Sequence, residues 1–144
     1  MRKVLAFVKG LAVFAVLVFA CTAYADIQEF RYFSLDVPEE WSVSEDGAAV
    51  VVTAPDKSAS LSITADSPNG KSIAELAEEY SRELKGTAPK KDEEDGESYS
   101  FMFNNGVSQA VINGDEEMYL LIIGTGIERN ADILGEILES LEMK

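Results

Sequence analysis

The sequence predicts an α+β fold: one antiparallel sheet of about six to seven strands covered by two helices. Three observations carry this expectation. Residues 30–65 read as strands, the spacing becomes helical after Ser72, and the same change recurs between residue 98 and the C-terminus. The resulting order, ββββ-α-βββ-α, sets helices against an antiparallel sheet, an α+β sandwich.

In the first group, Phe33, Leu35 and Val37 alternate with Ser34 and Asp36, and Pro38 ends the run. Trp41 to Ser44 is a short alternating segment. Ala48 to Thr53 is nearly all apolar, which predicts a strand buried on both faces. Ser58 to Ala65 points Ala59, Leu61, Ile63 and Ala65 inward and the intervening Ser60, Ser62 and Thr64 outward. Ser72-Ile-Ala-Glu75 is a capping box, and Ile73, Leu76, Ala77, Tyr80 and Leu84 follow at helical spacing before Gly86. Residues 86–96 read as a loop inside one domain. Three strands are expected at Ser98–Asn104, Val107–Ile112 and Met118–Ile123. Asn105-Gly106 marks a hairpin turn between the first two, and Asn113-Gly114 marks a second turn. Asn130 is expected to cap a final helix whose Ile133, Leu134, Ile137, Leu138 and Leu141 form one apolar stripe.

Ahead of this domain the chain opens Met1-Arg2-Lys3 and then runs uncharged from Leu11, leaving through Ala23-Tyr24-Ala25. A basic start, a short apolar run and a small-x-small exit predict a secretory signal peptide over residues 1–25, cleaved after Ala25, and one domain over 26–144. Only 15 uncharged residues run from Leu11 to Ala25. A membrane-spanning helix needs about 20. Val18-Phe19-Ala20-Cys21 also resembles a lipobox, in which Cys21 would be lipidated and become the N-terminus. The first route gives a periplasmic or secreted protein without a membrane span, the second a membrane-anchored lipoprotein.

All 26 acidic residues but only nine of the 12 basic ones follow Ala25, so the expected mature domain carries a charge of −17. Such a surface repels nucleic-acid phosphates and favours cations or basic protein partners. The chain has no histidine, and its single cysteine is Cys21. Thiol catalysis, Ser-His-Asp triads and Cys/His zinc sites are therefore excluded for the domain. No serine lies three residues before a lysine, and no EF-hand loop occurs. Gly124-Thr-Gly126 is read as a turn, because Arg129 stands where a dinucleotide-binding loop has its third glycine.

One cluster remains. With Asn105-Gly106 as the turn, Asn104 lies opposite Val107, Glu97 opposite Gly114 and Asp95 opposite Glu116. Asp92, Glu93, Glu94, Asp95 and Glu97 then converge with Asp115, Glu116 and Glu117 at one end of the sheet, offset by Lys90 and Lys91. Hard oxygen ligands of this kind suit calcium or magnesium, a basic protein patch suits them as well, and solvated loops are the simplest reading. No residue is assigned as catalytic, and no cofactor is expected beyond a calcium or magnesium ion at that cluster. Trp41 and the alternating Tyr99, Phe101 and Phe103 are expected in the core.

Phe33-Ser-Leu-Asp-Val-Pro-Glu-Glu-Trp41, the strand at Val50-Val-Val-Thr53, Ser58-Ala-Ser-Leu-Ser-Ile63 and the C-terminal Ile137-Leu-Glu-Ser-Leu-Glu142 together resemble the PsbP/Mog/DcrB superfamily of small α-β-α sandwiches. The resemblance spans most of residues 26–144. It implies a non-enzymatic accessory or binding protein of the cell envelope, with a protein partner there. Two alternatives stand beside it: a divalent-cation-binding protein built on the acidic sheet end, and a small carboxylate-dependent hydrolase. After expression in a Gram-negative host, the intact mass is expected to be that of a chain starting at Asp26. A diacylglycerol-modified chain starting at Cys21 would replace that expectation with the lipoprotein route.

Overall fold

The computed structural model describes residues 25–94 and 97–144. The strands are β1 (Ala25–Glu29), β2 (Phe33–Pro38), β3 (Ser42–Asp46), β4 (Ala49–Thr53) and β5 (Ser60–Asp66). Helix α1 (Ile73–Glu83) follows, then β6 (Lys90–Lys91), β7 (Ser98–Phe103), β8 (Ser108–Gly114) and β9 (Tyr119–Thr125), helix α2 (Ile127–Glu139) and β10 (Glu142–Met143). All strand pairs are antiparallel, and they form a seven-stranded sheet in the order β3-β4-β5-β9-β8-β7-β6. The predicted α+β sandwich is the one observed. A second, three-stranded sheet, β1-β2-β10, adds to it.

Two apolar clusters fill the layers. One joins Phe33, Leu35 and Val37 of β2 to Val50 and Val52 of β4, Leu61 and Ile63 of β5, Leu120 and Ile122 of β9, and Leu134, Ile137 and Leu138 of α2. The other packs Ile73, Leu76 and Ala77 of α1 on Phe101, Ala110, Ile112, Tyr119 and Leu121. The helices therefore lie on opposite faces of the large sheet, and the small sheet shares the face of α2. β9 is buried on both sides, since Leu120 and Ile122 face one cluster and Tyr119 and Leu121 the other. The strand expected to be doubly buried, residues 48–53, is covered on one face only: Val50 and Val52 are buried while Ala49, Val51 and Thr53 are half-exposed. The cause is the placement of α1, which packs on β7, β8 and β9 and leaves β4 open to water.

α1 starts at the expected capping box, with Glu75 N donating to Ser72 Oγ and Ser72 N to Glu75 Oε2, both at 3.1 Å. It stops in a two-bond motif: Gly86 N donates to Ser81 O and Lys85 N to Arg82 O. The left-handed residue of that stop is Lys85 (φ 56). Gly86 instead lies so close to Phe101 that a Cβ would come within 2.6 Å of its ring. The β7–β8 register is the expected one, from Ser98↔Asn113 to Phe103↔Ser108, and Asn104, Asn105 and Gly106 all turn with positive φ.

Two boundaries differ from expectation. Asn113 and Gly114 belong to β8, and the turn is made by residues 115–118, where Asp115 Oδ1 accepts from Glu117 N and Met118 N. A buried Asn113 and a Gly114 whose Cβ would fall on Met118 O fit a strand, whereas Asp115 offers the turn a local acceptor. α2 begins at Ile127 rather than at Asn130. Asn130 sits at a kink (φ −124, ψ 20), and its Nδ2 donates to Gly126 O at 3.0 Å.

Gly126 is the most crowded of the glycines that turn with positive φ among the described residues. It has φ 75, its N–H donates to Val107 O, and any Cβ there would overlap Ser58 O. Gly126→Ala is expected to cost roughly 3 kcal/mol or more, from left-handed strain plus that overlap. Gly47→Ala, at φ 61 but in open space, is expected to cost only about 1 kcal/mol. Urea unfolding of the two variants beside the parent checks the difference.

Candidate functional site: the acidic end of the sheet

The antiparallel register fixes which loops meet. Tyr119 pairs with Gly114 on one side and with Asp66 on the other, so the ends of β5 and β8 and the start of β9 are level. The Ser98↔Asn113 pair puts Glu97, one step beyond it, at the level of Gly114. The segment that enters β7 and the turn that leaves β8 are thus neighbours at one end of the sheet. Glu93, Glu94, Glu97, Asp115, Glu116 and Glu117 are exposed there, and Asp92 is half-buried. Asp95 lies outside the described residues, and its expected place opposite Glu116 with it. Asp66 closes the same end, and Asp46, at the end of β3, extends it. The sequence reading missed both, because it derived only the β7–β8 register.

Much of this acidity shapes the loops themselves. Asp92 Oδ1 accepts from Glu94 N at 3.0 Å, while Asp92 N donates to Ser98 O and closes the β6–β7 connection. Asp115 Oδ1 takes two backbone N–H bonds, and Asp115 N donates to Met118 O. At the opposite end of the sheet Asp56 does the same, accepting from Ser58 N and Oγ; these bonds hold its carboxyl below the usual range. A short acidic side chain that accepts from the backbone two residues on stabilises a turn without any ligand. Among the described residues no group of three or more Asp, Glu, His or Cys side chains is placed to hold a metal ion.

The acidic end contrasts with the other. There Ser42↔Thr53, Thr53↔Ser60, Ser60↔Thr125 and Thr125↔Ser108 form one row of hydroxyl side chains across five strands, closed by a 3.0 Å bond between Ser108 Oγ and Thr125 Oγ1. The carboxylates are therefore concentrated along the strand axis, and Lys90 and Lys91 of β6 are the basic residues beside them in the chain.

Two further features bear on chemistry. A cavity of about 70 Å³ lies between α2 and the sheet, lined by Leu61, Val111, Ile122, Ile127, Leu134 and Leu138, with Gln109 its polar member and no titratable side chain. On the other face, Tyr80 and Tyr119 share a 2.7 Å hydroxyl hydrogen bond. Burial, then that bond, then the charge of Asp66 push the Tyr119 phenol well above its ordinary value, so it stays neutral and ties α1 to β9. Phe101 is buried as expected, Tyr99 and Phe103 pack half-buried against the same cluster, and Trp41 packs half-buried against the other. Ala23 of the expected cleavage site and Cys21, the alternative lipidation site, lie outside the described residues, while Ala25 opens β1. Among the described residues no helix is long and apolar enough to cross a membrane.

α2 carries a carboxylate displaced in the opposite direction from Asp56. Glu136 is half-buried, one of its oxygens is buried without a hydrogen-bond partner, and burial, then Asp132 and Glu139, raise its pKa. A carboxyl whose folded value is raised costs stability when it is ionised. The cost is absent below the usual glutamate range, grows as pH rises through the folded value, and is complete above it. Glu136→Gln is expected to stabilise the protein at neutral pH and to lose that advantage on acidification, which thermal melts across the acid range would read.

No protein-family model matches the chain, and no curated protein matches it. Among solved structures it is similar to the cyanobacterial PsbP (CyanoP) of Synechocystis sp. PCC 6803, with a TM-score of 0.57 at 11% sequence identity over 85% of this chain and 94% of that one. A protein from Bacteroides thetaiotaomicron VPI-5482 aligns at a TM-score of 0.45 and 16% identity over 85% of this chain, which spans about half (49%) of that protein's length. The fold is PsbP-like, shared at low sequence identity.

Proposed function

We propose that this chain is an exported, non-enzymatic accessory protein that acts by binding a protein partner with a basic surface in the cell envelope. The observation that carries this reading is the acidic end of the sheet. Glu93, Glu94, Glu97, Glu116 and Glu117 are exposed and crowded by the register, beside Lys90 and Lys91. Like charges held this close repel, and a basic partner relieves the repulsion. A partner fits better than an ion, because Asp92 and Asp115 already accept bonds from their own loops.

Other features agree. Residues 26–144 lack histidine and cysteine, and the cavity under α2 offers apolar side chains and Gln109 where a carboxylate-dependent hydrolase needs two carboxyl groups across a cleft. The PsbP-like fold points the same way through the superfamily's accessory proteins, although one fold serves many functions.

The test is cross-linking of the exported protein in envelope extract, beside a variant with Glu93, Glu94, Glu97, Glu116 and Glu117 all changed to Gln. A reproducible partner is expected with the parent, lost in the variant and weakened by salt. Circular dichroism of the two proteins should match. Retention of the same partner by the variant would refute the assignment of the acidic end, and a parent without any partner would refute the binding role.

A further inference from the structure

We propose that Asn69 and Asn105 are sites of spontaneous deamidation in the folded protein, and that Asn113, in the same dipeptide context, is protected by its place in the sheet. The chain contains three Asn-Gly pairs: Asn69-Gly70, Asn105-Gly106 and Asn113-Gly114. In such a pair the glycine nitrogen attacks the asparagine side-chain carbonyl carbon, Cγ. The N–Cγ bond forms, the Cγ–Nδ2 bond breaks, and the proton lost by the glycine nitrogen departs with the leaving ammonia. Water then opens the five-membered succinimide at either carbonyl, giving aspartate or isoaspartate. Water is the sole co-reactant. Glycine favours the attack because no side chain shields its nitrogen and its backbone turns freely.

The three pairs share this chemistry and differ in structure. Asn69 and Gly70 are both exposed, between β5 and α1, with φ of 52 and 83, and nothing lies within 4 Å of the Cβ position of Gly70. The hydrogen bonds of this turn run from Asn69 N to Ser67 Oγ and from Lys71 N to Pro68 O, leaving the Gly70 N–H outside them. Asn105 and Gly106 are equally exposed and open, at the tip of the β7–β8 hairpin. There the Gly106 N–H donates to Phe103 O at 3.1 Å, and that bond must break before the nitrogen can attack. Asn113 is only 2% exposed and is paired with Ser98 on one side and Leu120 on the other. Gly114 is closed in by Met118 O and Tyr119 Cα, so the ring cannot form without separating the end of β8 from the start of β9.

The consequences separate as well. Either reaction adds one negative charge. At Asn69 the product falls in an exposed segment ahead of the Ser72 cap. At Asn105 isoaspartate lengthens the main chain inside a turn of three left-handed residues, next to Val107, whose carbonyl holds Gly126 N at the start of α2. A lower melting temperature is expected for the Asn105 product alone.

Incubation of the purified protein in mildly alkaline buffer, folded and in parallel unfolded in urea, followed by peptide mapping by mass spectrometry, tests this. All three sites are expected to convert at similar rates in urea. In the folded protein Asn69 should convert first and Asn105 second, with Asn113 slowed roughly tenfold or more relative to urea, since it must wait for local opening. Folded-state conversion of Asn113 at the rate of Asn69 would overturn the proposal. An intact Asn69 or Asn105 under conditions that convert the unfolded chain would overturn the assignment of that site. Asn105 converting ahead of Asn69 would overturn the protection assigned to the Gly106–Phe103 bond.

Discussion

The pairing of β5 with β9 is the contact on which the rest of the molecule depends. It runs from Ser60↔Thr125 to Asp66↔Tyr119 and joins the hairpins of the first half of the chain to those of the second. Each large apolar cluster needs it. Leu61 and Ile63 meet Leu120 and Ile122 under α2, and the same β9 presents Tyr119 and Leu121 to α1 on its other side. A one-residue slip would put Ser62 and Thr64 of β5 under α2 in place of Leu61 and Ile63, and the alternation of β5 forbids that. The pairing also brings Asp66 level with the turn at Asp115, so it builds the acidic end as well as the core.

How much of this the sequence discloses depends on how local each determinant is. The capping box at Ser72, the alternation from Ala59 to Ala65 and the β7–β8 register are set by neighbours in the chain, and residue patterns reveal them. The small sheet is not local: β10 is two residues long and exists because Leu141 and the end of α2 bring Glu142 and Met143 beside β2. Which strand is buried twice is also a tertiary matter. Val50-Val-Val and Leu120-Leu-Ile are equally apolar runs, and only the seat of α1 distinguishes them. The convergence of the acidic loops is legible from one hairpin register, whereas the part of Asp66 and Asp46 in it needs the order of all the strands.

At the turn residues the sequence signal is ambiguous rather than absent. Asn105-Gly106 and Asn113-Gly114 look alike, yet one forms a hairpin tip and the other ends a buried strand. The decision falls to Asp115, whose carboxylate gathers two backbone N–H groups and moves the turn onward. Acidic residues here thus serve two purposes. Asp56, Asp92 and Asp115 build turns, while the glutamates beside Asp92 and Asp115 remain turned to solvent. Charge on this surface is therefore partly a by-product of turn construction, and a binding role has to be sought in the glutamates.

The long separation of β5 from β9 along the chain has a consequence for synthesis. Residues 60–66 cannot find their central partner until residues 119–125 have emerged from the ribosome, and contacts between such distant segments form slowly. Before then the seven-stranded sheet cannot close. A sheet that closes only on β9 leaves the chain threadable through a narrow pore until residues 119–125 have been made.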